Sequence, residues 1–123
     1  MSLKIRILTG LTTLAVSACS LPSFEISDGA TVSRALSGMT VVGQYSDGTS
    51  YCEFHDPNGL VVGRDYELFA GNWEIVNDAI CYSYPGMATD CQLALISPGK
   101  AKFMNAFGGM VAQGSLVSGN VCN

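Results

Sequence analysis

Along most of the chain, apolar and polar residues alternate in short runs broken by turn formers at intervals of about ten positions. Three stretches come before that pattern. Ile7 to Val16 is an apolar run behind Lys4 and Arg6, and Ser20 to Ser27 is a short tether-like stretch containing Pro22. Asp28 or Ser27 then offers a cap for a brief helix through Ala30, Val32, Ala35 and Leu36, ended by Gly38. With so few apolar positions, this helix is expected to act as a lid or plug rather than a core element. From Met39 the period becomes two. Thr40 to Tyr45 runs to the turn Ser46-Asp47-Gly48, and Ser50 to His55 runs to Asp56-Pro57-Asn58-Gly59. Leu60 to Gly63 is a third strand, Tyr66 to Phe69 a weak fourth, and Asn72 to Val76 a fifth that turns at Asn77-Asp78. Ala79 to Tyr84 sets Ile80, Tyr82 and Tyr84 on one face, and Cys91 to Ile96 pairs back on it. Ala101 to Asn105 and Met110 to Val117 close the series.

Short strands joined by local turns predict an all-β chain, an antiparallel meander forming a small barrel-like or curled sheet, with one short N-terminal helix. No long helix falls between the strands, so a parallel α/β fold is excluded. Closing the sheet removes exposed edges, which favours a barrel over a two-sheet sandwich.

The N-terminal run reads as a secretory signal, too short to cross a bilayer as a helix. Its exit, Val16-Ser17-Ala18-Cys19, resembles the lipobox of bacterial lipoproteins. That resemblance implies cleavage before Cys19, a lipid thioether on its sulfur and a membrane anchor. Two or three acyl chains anchor stably, at about 0.8 kcal/mol per buried methylene. Ser20 in the next position implies an outer-membrane address, with the periplasmic face preferred over the exterior. Ordinary signal cleavage, which Val16 and Ala18 also satisfy, is the competing reading and leaves Cys19 a free thiol. The expected organisation is a signal peptide over residues 1–18, a lipidated tether over 19–27 and one disulfide-bonded β domain over 28–123.

Charge and cysteines narrow the picture. The chain has ten acidic and six basic residues, and losing Lys4 and Arg6 with the signal leaves a charge near −6. An acidic surface argues against nucleic acid and against docking on anionic headgroups. Cys52, Cys81, Cys91 and Cys122 read as two disulfides, with three possible connectivities. Cys81 and Cys91 flank a turn candidate, Pro85-Gly86, and can face each other across a hairpin; in that connectivity Cys52 would staple an early strand to Cys122. No C-x-x-C spacing supports zinc, and no metal or other cofactor is expected.

Candidate chemistry is sparse. His55, the only histidine, has Glu53 on its strand face and Asp56 beside it, half of a general-base or metal arrangement. Nothing nominates a nucleophile or a third ligand, so His55 reads as a polar strand-end residue. Glu53, Asp65, Glu67, Glu74 and Asp78 supply carboxylates that a meander can bring together, though such acids usually just face solvent. There is no G-x-S-x-G elbow and no phosphate loop, and the chain is not expected to be an enzyme. Trp73, Tyr82, Tyr84, Phe54 and Phe69 are candidates for lining a pocket, against the commoner role of aromatics as core. Ala106-Phe107-Gly108-Gly109-Met110 is an apolar, glycine-rich loop suited to partner contact.

Tyr45-x-Asp47-Gly48-x-x-Tyr51 and Phe69-Ala70-Gly71-Asn72-Trp73 resemble MORN-type hairpin repeats, but the period does not persist. The series from Gly38-Met39-Thr40 through Gly71-Asn72-Trp73 to the Cys81 and Cys91 pair is similar to small proteobacterial envelope proteins, a likeness that implies a domain type and no activity. The leading expectation is a membrane-tethered envelope lipoprotein acting as a binding or accessory module, with an envelope protein or a peptidoglycan-associated partner. Inhibition of a lysozyme-type hydrolase is its specific version, because membrane-bound lysozyme inhibitors are also small disulfide-bonded β-barrel lipoproteins. The alternative is a barrel-type carrier of a small apolar ligand.

Overall fold

A computed structural model describes residues 25–123. The signal segment, the Cys19 lipidation site and residues 20–24 of the tether lie outside the described residues. Helix α1 (Gly29–Leu36) leads into β1 (Met39–Tyr45), β2 (Ser50–His55), β3 (Leu60–Arg64) and β4 (Leu68–Val76). After these come β5 (Ala79–Ser83), β6 (Asp90–Ser97), β7 (Lys100–Met104) and β8 (Met110–Ser118). Each strand pairs antiparallel with its neighbours in sequence. β8 returns to β1 from Met39↔Ser118 to Tyr45↔Ala112, closing an eight-stranded barrel. The expected meander is therefore a closed barrel.

One boundary differs. Tyr66 lies in an exposed bend, and the fourth and fifth expected strands are a single strand, β4. The glycine between them, Gly71, does not break the run. A side chain there would collide with the Ser83 carbonyl and the Tyr84 ring, so this glycine makes room for an aromatic without ending the strand.

Helix α1 closes one end of the barrel. Asp28 is its N-cap, accepting from the Thr31 amide at 2.8 Å. Ser27 instead docks the incoming chain on β6, where its amide donates to the Ala94 carbonyl and its hydroxyl accepts from the Ile96 amide. Gly29 donates to Asp78 across the β4–β5 turn at 2.9 Å. The helix is a plug, as expected, and it is also core, because Val32 and Leu36 are fully buried. Beneath them pack Val41, Val61, Trp73, Ile80 and Ala94. The odd-numbered hairpin loops, β1–β2, β3–β4, β5–β6 and β7–β8, lie together at the opposite end.

Two disulfides brace the outside. Cys81 and Cys91 are register partners across β5 and β6. Cys52 joins Cys122, 70 residues away, and pins the C-terminal tail to β2. Closing so long a loop stabilises by about 4 kcal/mol in the chain-entropy account.

Candidate functional site: an acidic, tyrosine-walled cup

Period-two alternation on β2 sends Tyr51, Glu53 and His55 inward, in that order from the open end toward the plug. Cys52 and Phe54 take the other face. On β5 the same alternation sends Ile80 and Tyr82 inward, with Tyr84 following just beyond the strand. The result is an interior that changes character along the barrel axis. Near the helix it is packed with aliphatic side chains. Toward the open end it becomes a cavity of about 370 Å³ whose lining includes Tyr45, Tyr51, Tyr82, Tyr84, Phe69 and Phe103.

Acids share this cup with the rings. Glu53 sits at its wall, only 8% exposed, and accepts from the Tyr84 hydroxyl at 2.6 Å. Asp65, Glu67 and Asp90 line the cup nearer the mouth, and Tyr45 donates to Asp65 at 3.1 Å. Among the described residues no lysine or arginine lines it. Arg64 borders a more open cleft on the outer wall that shares Tyr51 and Asp65 with the cup, and Lys100 and Lys102 border another. Tyr45 stacks on Tyr51 with centroids 4.4 Å apart, and Tyr82 lies parallel to Tyr84 at 6.3 Å.

Burial pushes the Glu53 carboxyl up to about 7, helped by the nearby Asp65 charge and opposed by the Tyr84 hydrogen bond. Burial and the Glu53 charge also hold the Tyr82 and Tyr84 phenols well above their ordinary range, so both remain donors. Burial pushes the His55 imidazole down to about 4, so at neutral pH it carries no charge.

His55 is the main departure from expectation. It is no polar residue at an exposed strand end: it is fully buried. Its Nε2 shares a 2.9 Å hydrogen bond with the Tyr82 hydroxyl and stands 3.7 Å from Glu53 Oε1. The edge of Trp73 packs on the imidazole with centroids 5.3 Å apart, and Nδ1 has no hydrogen-bond partner. His55 thus lies behind the cup, and a molecule in the cup meets Glu53 first.

Of the aromatics expected to line a pocket, Tyr82, Tyr84 and Phe69 do so. Trp73 does not. Its indole donates to the Asp56 carbonyl at 2.9 Å in the packed half. Phe54 faces away from the cup. Of the five candidate carboxylates, Glu53, Asp65 and Glu67 converge on it, while Asp78 serves the helix N-terminus and Glu74 takes the opposite face of β4 from buried Trp73. Tyr45, Tyr51 and Asp90 were not singled out by sequence reasoning. The available signal was tyrosine recurring at inward positions of β1, β2 and β5.

Compared with protein-family models, curated proteins and solved structures, the chain matches none. Function must therefore be argued from the cup itself. An acid-and-ring cavity at the open end of a stapled barrel can bind, and its buried carboxyl can gain or lose a proton near neutral pH. Among the described residues no three histidine, cysteine or acidic side chains come together to hold a metal ion.

Proposed function

We propose that this protein is a binding module of the bacterial envelope, tethered to the outer membrane through a lipid on Cys19 and engaging its partner with the open end of the barrel. The carrying observation is the half-buried cup around Glu53, a preformed concave site whose walls mix rings with a few placed polar groups. The rim supports a protein partner: Tyr66, Met87 and Phe107, on three of the four loops at that end, are 88%, 69% and 97% exposed. Ser27 brings the chain in from β6 near the helix, so the loops at the open end stand clear of the point where the tether joins. Inhibition of a lysozyme-type hydrolase is the specific form of this reading, with the open-end loops entering the enzyme's cleft. A carrier of a small apolar ligand uses the same cavity but leaves its carboxylates facing hydrocarbon, so it is the weaker fit.

The test places a photocrosslinking residue at position 107 of the exported chain, with position 74 as control. A discrete envelope adduct from 107 alone, or inhibition of lysozyme by the purified chain, is the expected outcome. Absence of both overturns the reading. Palmitate labelling that disappears in Cys19→Ala is expected of the tether, and an unlabelled wild-type chain removes it.

A further inference from the structure

We infer that the cup takes an organic cation, an alkylammonium or guanidinium head on a short apolar stem. The inference builds on the binding-module reading and supplies its ligand chemistry.

Three observations converge on a positive group. First, Glu53 is a carboxyl held inside the cavity wall with Tyr84 as its hydrogen-bond donor, and among the described residues no cation of this chain lines the cup. An ionised carboxylate in such a place is costly until an opposite charge reaches it. Second, Tyr45, Tyr51, Tyr82 and Tyr84 all line the same cavity. The negative faces of such rings attract a cation within about 6 Å. Third, Asp65 and Asp90 at the mouth add charge of the same sign along the way in. An anion would be repelled at each stage. A neutral apolar molecule would satisfy the rings and strand the carboxylates. A cavity of about 370 Å³ admits the head and a stem of several carbons. The head can come from a free amine or from a lysine or arginine of a protein seated on the rim, since both present the same chemistry.

Protonation then gates the site. Facing Glu53 are Asp65 and Glu67 from the β3–β4 turn and Asp90 on β6. Tyr45 on β1, Tyr51 and His55 on its own strand, and Tyr82 and Tyr84 from β5 complete its titratable surroundings. Of the groups there with displaced titrations, Glu53 alone changes charge near neutrality. A cation binds the carboxylate and not the acid, so its affinity should fall about tenfold per pH unit below about 7 and level off above.

The experiment is calorimetric titration of the oxidised full chain with hexylammonium, 1-hexanol and hexanoate. Hexylammonium should bind at least about tenfold more tightly than either, the worth of a charge-assisted hydrogen bond. Glu53→Gln, which keeps an acceptor for Tyr84, should remove most of that preference and flatten the pH profile. Asp65→Asn, at the rim, should lower affinity by a smaller factor of about two to three. Hexanol binding as tightly as hexylammonium overturns the inference in favour of the apolar carrier. A preference that survives both substitutions also overturns it. If hexylammonium added before irradiation prevents the adduct at position 107, the cation belongs to a protein side chain. If it binds and the adduct still forms, the ligand is a free amine, and either result sustains the inference. An adduct at 107 with no hexylammonium binding sinks the cation and leaves the binding module standing. Hexylammonium binding without an adduct or lysozyme inhibition does the reverse.

Discussion

At its plugged end the barrel is close-packed around Val32, Leu36, Ile80 and Trp73, and at its open end the same strands carry four tyrosines and a buried carboxyl. The contrast is built within single strands. Along β2 the inward positions pass from Tyr51 through Glu53 to His55, and along β5 from Tyr84 through Tyr82 to Ile80. Helix α1 makes the difference possible. By inserting Val32 and Leu36 it concentrates hydrophobic stabilisation at one end, at about 1.5–3 kcal/mol for each large side chain buried. The other end is then free to keep a cavity and a group whose burial is unfavourable. Packing and cavity are divided along the axis, and substitutions at either end test that division.

The largest effect belongs to the plug. Leu36→Ala removes a fully buried side chain from the last turn of the helix and should cost about 2–5 kcal/mol. Urea unfolding of the oxidised chain reads it directly. Met87→Ala, a truncation at the opposite rim, should stay within about 0.5 kcal/mol. Equal losses would mean that the two ends share one stability and that the helix is only a lid.

The next effect, on the order of 3 kcal/mol, tests the boundary between the halves, where Glu53 meets His55. Glu53 is raised from 4.5 to about 7, so the folded chain holds its proton more tightly than the unfolded chain. Its contribution to stability is full below pH 4.5 and is lost as pH rises through about 7. His55 is lowered from 6.5 to about 4, so the unfolded chain takes up that proton more readily and stability is lost as pH falls from 6.5 to 4. In the wild type the two slopes nearly cancel between pH 4.5 and 6.5. Each single variant should expose the other group. Glu53→Gln should gain stability as pH rises from 4 to 6.5, and His55→Gln should lose it as pH rises from 4.5 to 7. Denaturation series at half-unit pH steps measure both. Two slopes of the same sign would show that the pair does not titrate as two opposed buried groups.

What the sequence disclosed follows the same division. Turns such as Asp47-Gly48 and Asp56-Pro57-Asn58-Gly59 are local signals, and they bound β2 at Ser50 and His55 as expected. The cysteine count pointed to two disulfides, and the Pro85-Gly86 turn favoured the Cys81–Cys91 pair that the structure shows, but three connectivities stayed open until the fold brought Cys52 to Cys122. The split of β4 into two expected strands was not resolved by the sequence, since whether a glycine such as Gly71 ends a strand or yields to a ring depends on a neighbouring strand. The cup was hidden for a related reason. Alternation placed Glu53 and His55 on one face of β2 and Cys52 and Phe54 on the other, without saying which of the two turns inward. Which face turns inward is decided only when β8 reaches β1 and the barrel closes. Tyr82 and Tyr84 were legible as pocket candidates, whereas Tyr45 and Tyr51 escaped because inward aromatics are the ordinary content of a small core, and a cavity is a property of their spacing around the barrel.

The smallest effect on stability should carry the clearest functional reading. Phe107 is 97% exposed on the β7–β8 loop, where Asn105 organises the turn by accepting from the Phe107 and Gly109 amides, both at 2.9 Å. Its ring contributes almost nothing to the fold. Phe107→Ser should therefore leave unfolding within about 0.5 kcal/mol of the wild type and leave hexylammonium affinity unchanged, because the ring does not line the cup. If the rim is where a protein docks, the same change should weaken partner capture by about tenfold, as expected for an aromatic anchor at an interface. Pull-down of the partner alongside a thermal melt makes the comparison in one preparation. Lost capture with an unchanged melt would place recognition on the loops and ligand chemistry in the cup. Capture that survives Phe107→Ser but fails in Glu53→Gln would instead put all of the recognition inside the barrel, with the exposed ring left without a role in binding.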